Sequence, residues 1–238
     1  MDKKEKFYQF KKANEEVTDL FIFGDITKYQ WDESDVGSYD FAKELGEVET
    51  ANLNVHINSY GGSVSEGLAI HNLLKQFDGN VTTICDGFGC SIASVIFMAG
   101  SKRVMNKGSL LMIHNAWTFA MGNAKELRKQ AEDLEKITEP SIQIYLDNSN
   151  LSREEIVELM DQETWITSEE ALQYGFATEI KDTDESQQSI NEKYLAKQVM
   201  LNKDLEKQLN SLKEALASEK AKNEKTLTGW DAFFNTKK

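Results

Sequence analysis

Residues 87–100 read GFGCSIASVIFMAG, and they follow a strand-like run at 81–85 (VTTIC) that ends in Asp86. Gly87 and Gly89 carry no Cβ, so the backbone can turn sharply there and a second stretch of chain can lie close against it. Ser91 then stands where a small-residue, apolar helix over 91–99 would begin. The pattern is a strand, a tight turn and a helix with a serine at the bend. A helix start presents unpaired N–H groups and partial positive charge, which suits a serine whose attack on a carbonyl creates an oxyanion. The same position fits an N-cap, the commoner use of a serine at a helix start. On this stretch alone both readings stand.

Working outward, the same motif recurs. Residues 53–58 (LNVHIN) alternate, with Leu53, Val55 and Ile57 on one side and Asn54, His56 and Asn58 on the other. A turn, SYGGS, then leads into a helix over about 64–77, and further strands are expected at 103–105 and 110–114. Strands separated by helical segments predict an α/β fold of βαβ units, with parallel pairing and right-handed crossovers. Upstream, residues 20–23 (LFIF) read as a first strand, 31–37 as a loop and 38–48 as a helix with Phe41, Leu45 and Val48 on one face. Residues 1–17 are charged and expected to be a flexible segment, although Phe7, Tyr8 and Phe10 can pack on something.

Downstream lies a long amphipathic helix over 123–146, striped by Leu127, Ala131, Leu134, Ile137, Ile142 and Tyr145. A helix of this length that is not apolar all round is expected to meet a neighbouring subunit. Its Pro140, the only proline of the chain, is expected to kink it or restart it just after Thr138. A capping box, Ser152 and Glu155, opens a helix over 152–160, and a short helix at 167–174 and a strand at 176–180 close the body.

At 238 residues the chain holds one domain of ordinary size, taken as 18–181, plus an appendage. From residue 182 the composition shifts to a linker and then to a Lys-, Glu- and Leu-rich tail. In it Leu205, Leu209, Leu212 and Leu216 suggest a helix, and Trp230, Phe233 and Phe234 form an aromatic cluster. The formal charge is −13; the tail from Asp184 carries ten Lys and nine acidic residues, so the body holds about −14. Such an acidic body is not built to neutralise phosphates, which argues against a nucleic-acid partner. Two cysteines, Cys85 and Cys90, are too few and too close for a disulfide framework or a zinc site, and they point to a reducing, cytoplasmic setting. No apolar run reaches the length of a membrane span, and the N-terminus lacks the apolar core of a signal peptide.

Three histidines make elimination practical. His56 lies in the alternating strand, and His71 lies in the helix after the glycine pair, where a partly exposed structural role is the default. His114 ends the run Leu110, Leu111, Met112, Ile113, so a buried strand delivers it to the edge of the core, where α/β folds place catalytic groups. A structural role for His114 stays open on position alone. The turn Tyr60-Gly61-Gly62-Ser63 lacks the lysine of a phosphate loop, and its alternative use is to supply backbone N–H groups beside a reacting carbonyl.

Taken in order, NSYGGSVSEG, GFGCSIASVIFMAG, MIHNA and ETWITSEEALQYGFATEI resemble the Clp-type serine proteases, that is, the ClpP-like proteolytic subunits and their phage-encoded relatives. The resemblance spans about 18–181. It implies the ClpP/crotonase-like fold, a repeated ββα superhelical core with a long handle helix through which two rings stack, here followed by a helical tail. It implies an endopeptidase acting on protein substrates and assembled as a homo-oligomeric ring. Ser91 matches the nucleophile, His114 the general base, and the Ile92 amide with an amide of the Gly61, Gly62 turn the oxyanion hole. Tyr60, where ATP-dependent members usually have proline, and Trp165 are more like the phage branch, whose enzymes trim capsid and scaffold proteins during head maturation.

The third, acidic member departs from the family. An ungapped register places Glu163 at the aspartate position, with Asp161 as the neighbouring alternative. The arginine-containing start of cellular members has no match, which argues against docking to an unfoldase ATPase. No ATP site, cofactor or metal is expected. Two other readings are a crotonase-like acyl-CoA enzyme, which would place carboxylates at the reacting centre and need neither Ser91 nor His114, and a non-catalytic capsid-assembly scaffold.

Overall fold

A computed structural model of the chain describes residues 8–26 and 38–182. The first half runs β1 (Tyr8–Lys12), β2 (Val17–Ile22), α1 (Ser38–Leu45), β3 (Asn52–Ser59), α2 (Val64–Lys75), β4 (Asn80–Cys90) and α3 (Ile92–Phe97). The second half runs β5 (Lys102–Asn106), β6 (Leu110–Ile113), α4 (Ala124–Asp147), α5 (Arg153–Asp161), β7 (Thr164–Thr167), α6 (Ser168–Tyr174) and β8 (Glu179–Lys181). The tail, the loop at 31–37 and Phe7 lie outside the described residues.

The sheet has the order β1-β2-β3-β4-β5-β8, parallel from β2 to β8, with β1 antiparallel on one edge. Parallel neighbours need a crossover, and α1, α2 and α3 supply it between successive strands. The alternation of β3 buries Leu53, Val55 and Ile57 in one core with Phe41, Ile70, Ile96 and Phe97. The mixed α/β architecture expected from the sequence is therefore present.

The run 81–90 differs from its reading. β4 continues for 11 residues through Asp86, Gly87 and Gly89 instead of turning there. The reason is a change of partner: residues 82–85 pair with β5, whereas residues 88–90 pair with β6. Its glycines serve close approach, since a Cβ on Gly87 would stand 2.7 Å from Asn58 Oδ1 and one on Gly89 2.9 Å from Leu111 Cδ2. At the changeover the buried Asp86 accepts from Asn106 Nδ2 at 2.8 Å and pairs with His56 Nδ1 at 2.8 Å, linking three strands where the ladder switches. The sharp bend falls at Ser91.

Other boundaries shift for local reasons. Within the segment 1–17 expected to be flexible, β1 pairs with β2, and Phe10 packs on Phe41 with ring centroids 6.0 Å apart. α4 runs unbroken through Pro140 from an Asn123–Glu126 capping box. The bond that the proline ring removes would join its nitrogen to the Lys136 carbonyl, and both residues lie on the exposed face, where water can take its place. β7, absent from the sequence reading, pairs antiparallel with β6, and the strand expected at 176–180 forms later, at β8. The Ser152–Glu155 capping box of α5 is present.

The C-terminal ends of three helices converge on Arg103. Its Nε donates to Phe176 O at 2.7 Å, and its Nη atoms donate to Gly175 O at 3.0 Å, Gly100 O at 3.2 Å, Asn148 Oδ1 at 3.3 Å and Asn148 O at 3.4 Å. Gly100 follows α3, while Asn148 and Gly175 are the C-caps of α4 and α6. One guanidinium thus bonds the carbonyls of two helix C-caps, Asn148 and Gly175, and those of Gly100 and Phe176 just beyond helix ends. Among the described residues, no helix is long and apolar enough to cross a membrane.

Candidate active site

Cys90 pairs with Met112 across β4 and β6, so the residues just beyond them leave the sheet at the same end. Ser91 keeps one tie to β6, its N–H donating to Met112 O at 2.7 Å, and takes φ 53°, ψ −129° before α3 begins. A positive φ is uncommon for a residue with a Cβ and costs on the order of 1–3 kcal/mol. The Ser91 side chain makes no capping bond to the helix. The N-cap role left open by the sequence is therefore not the one its hydroxyl performs. Instead Ser91 Oγ lies 2.7 Å from His114 Nε2. For Nε2 to accept the serine proton, the ring must carry its own proton on Nδ1.

The glycine turn packs directly on this serine. Gly61 has φ 100°, and a Cβ there would stand 2.7 Å from Ser91 Cβ, 2.8 Å from Cys90 O and 3.2 Å from Ile92 N. The turn is held by Ile26, whose N–H donates to Gly61 O at 2.9 Å and whose carbonyl accepts from Ser63 N at 2.6 Å. The Gly61 N–H donates to Ser59 Oγ at 3.1 Å, so the Gly62 N–H is the amide of this turn that remains open among the described residues. Ile92 contributes the first amide of α3 on the serine side. A second tie fixes the serine backbone: Ser94 Oγ lies 2.6 Å from Ser91 O and 2.7 Å from Tyr145 OH. Burial pushes the Tyr145 phenol up, so it stays protonated. Val64, Val95, Thr138, Ser141, Tyr145 and Met160 line a small cleft that also includes Ser91 and His114.

The two acidic candidates lie at the end of α5. Asp161 Oδ1 accepts from Asn115 Nδ2 at 2.7 Å. Glu163 is exposed, at φ 50°, where its N–H closes the helix onto Met160 O at 3.2 Å. Neither carboxylate hydrogen-bonds His114 among the described residues. Nor does either touch Ser91, so the arrangement lacks the carboxylates at the reacting centre that an acyl-CoA reading asks for. The other two histidines stand apart from this site. His56 is stacked on Phe21 at 4.9 Å. His71 is buried, not partly exposed, and burial pushes its pKa down. Ser59, Asn115 and Thr138 were missed by the sequence reading. Ser59 alone carried a signal, because a hydroxyl two residues before a glycine can take its amide.

A serine hydroxyl facing an imidazole, with two amides beside it, is arranged for nucleophilic acyl transfer. The model of one protein family, described as Clp protease, matches residues 44–184. The chain is 33% identical over 132 residues to the ATP-dependent Clp protease proteolytic subunit of Deinococcus radiodurans, covering 55% of this chain and 65% of that protein. It is 34% identical over 130 residues to the protein of the same name from Bacteroides fragilis, covering 54% and 63%. The chain thus spans a little under two thirds of the length of these curated relatives.

Proposed function

The chain belongs to the Clp protease family, and from that premise we propose that it is a serine endopeptidase with Ser91 as nucleophile and His114 as general base. The observation that carries this reading is the 2.7 Å contact between Ser91 Oγ and His114 Nε2 by a serine that caps nothing. As Oγ attacks the scissile carbonyl, its proton passes to Nε2. The oxyanion is received by the N–H groups of Ile92 and Gly62, and the proton then goes to the departing amine. Water, deprotonated by the same nitrogen, releases the acyl group and restores the serine. Of the two acids, Glu163 remains the register match and Asp161 the better anchored.

Protein or peptide substrates and a homo-oligomeric ring follow from the family reading. Exposed apolar side chains at Trp117, Phe119, Met121, Leu127 and Ile137 support the ring, since a neighbouring subunit would cover them. The finer role is trimming of capsid or scaffold proteins during phage head maturation, in the cytoplasm and without an ATPase partner. Tyr60 supports the phage role, and two free, buried thiols support the compartment.

The test is intact mass after fluorophosphonate treatment, beside Ser91→Ala and His114→Ala. One adduct, absent from both variants, is expected. An oligomeric wild type that takes none would sink the peptidase reading. Co-expression of capsid and scaffold proteins with the wild type and Ser91→Ala tests the finer role. Truncation is expected with the wild type alone, and intact capsid proteins beside active peptidase would remove that role.

A further inference from the structure

Resting on the reading of Ser91 and His114 above, we infer that Asp161 is a positioning residue for His114 and acts through the side chain of Asn115. His114 stands at the junction of an ordered strand and an open segment. On its N-terminal side Ile113 pairs with Thr164 across β6 and β7. On its C-terminal side, residues 117–121 are exposed. Two hydrogen bonds tie residues 115–122 to the rest of the molecule among the described residues. One joins Asn115 Nδ2 to Asp161 Oδ1 at 2.7 Å, and the other joins Ala116 N to Thr138 Oγ1 at 3.2 Å. They fall on the first and second residues after the histidine.

Both anchors are themselves fixed. Thr138 Oγ1 donates to Leu134 O at 2.9 Å, so its hydroxyl is used in both directions. Asp161 is the last residue of a helix capped by Ser152 and Glu155 and held by the buried Ile156 and Met160. Apart from Ser91 Oγ at Nε2, no side chain bonds the His114 imidazole among the described residues, so the placement of the ring beside the serine rests on the backbone that carries it. The carboxylate that secures that backbone is one residue removed from the ring. Its bond is charge-assisted, the stronger class of hydrogen bond.

The test measures the rate of fluorophosphonate acylation of Ser91 against pH in the full chain. The proteins compared are the wild type, Asp161→Ala, Asn115→Asp, the exchange Asn115→Asp/Asp161→Asn, and Glu163→Gln. Sedimentation and thermal unfolding confirm assembly and folding of each. Asp161→Ala is expected to lower the plateau rate roughly ten-fold, the scale of one charge-assisted bond, with the midpoint pH unchanged. Asn115→Asp sets two carboxylates face to face and is expected to be at least as slow. The exchange restores one donor and one acceptor and is expected to return to within about three-fold of wild type.

An exchange no faster than the single variants would overturn the inference, because the carboxylate at 161 would then be needed for itself. So would a midpoint that moves in Asp161→Ala, which would put the acid on the imidazole, or a Glu163→Gln that shifts the midpoint while Asp161→Ala behaves as wild type. A wild type that takes no label at any pH sinks the peptidase reading, and this inference with it.

Discussion

Replacing Arg103 by Met removes the guanidinium on which α3, α4 and α6 end while keeping an unbranched apolar stem. Two of its five bonds are short, at 2.7 Å to Phe176 O and 3.0 Å to Gly175 O, and three lie between 3.2 and 3.4 Å. A hydrogen bond from a charged donor contributes about 1.5–3 kcal/mol, and the longer ones less. Against this stands the cost of desolvating the charge, which holds the Arg103 pKa below its ordinary value. In the variant several half-buried carbonyls also lose their donor. The net expectation is a loss of about 4 kcal/mol. For a domain of this size that corresponds to a fall of roughly 8–16 °C in the unfolding midpoint, at about 2–4 °C per kcal/mol. Arg103→Lys keeps the charge but not the planar fork, and it is expected to recover less than half. Urea and thermal unfolding followed by far-ultraviolet circular dichroism measure both. A Met variant within about 1 kcal/mol of wild type, or a Lys variant equal to wild type, would refute the reasoning, because then the fork would not be what joins the helix ends.

Gly61→Ala places a methyl 2.7 Å from Ser91 Cβ at a φ of 100°, and it should abolish acylation of Ser91 while the protein still folds; retained labelling would show that the turn tolerates displacement. Cys85 and Cys90 are buried, with the Cys90 thiol pushed up to about 12 and Cys85 higher still, so iodoacetamide at pH 8 should modify them only after unfolding. For His71 the folded pKa lies below the ordinary 6.5, so the unfolded chain takes up a proton that the folded one refuses. Its contribution is complete above that pH and is lost as pH falls toward the lower folded value. Unfolding in urea from pH 7.5 to 5 should show that loss, and His71→Leu should flatten it; an unchanged slope would mean that another group carries it.

Much of this was legible in the sequence, and the exceptions have physical causes. The alternation at 53–58 and the capping box at Ser152 appear as read because each is a local pattern answered by a local structure. Gly87 and Gly89 were half legible. Close approach was expected and found, but whether a glycine marks a turn or a narrow place in a strand depends on the neighbour, here Asn58 and Leu111. β1 was hidden by its lysines, which an edge strand tolerates because one side of it faces water. Pro140 misled because the exposure that makes its missing bond cheap is a property of packing. The relation of Asp161 and Glu163 to His114 depends on where the end of α5 meets the segment that follows β6, and no spacing in the sequence fixes that.

The backbone angle at Ser91 carries an implication for descent as well as for chemistry. A glycine would occupy φ 53°, ψ −129° with less strain than any residue bearing a Cβ, so Ser91→Gly should yield an inactive protein more stable than the Ser91→Ala variant by about 1 kcal/mol. Folding alone therefore gives selection no reason to keep a serine there. A lineage that retained this fold after its substrates were gone would be expected to relax toward glycine at that position first.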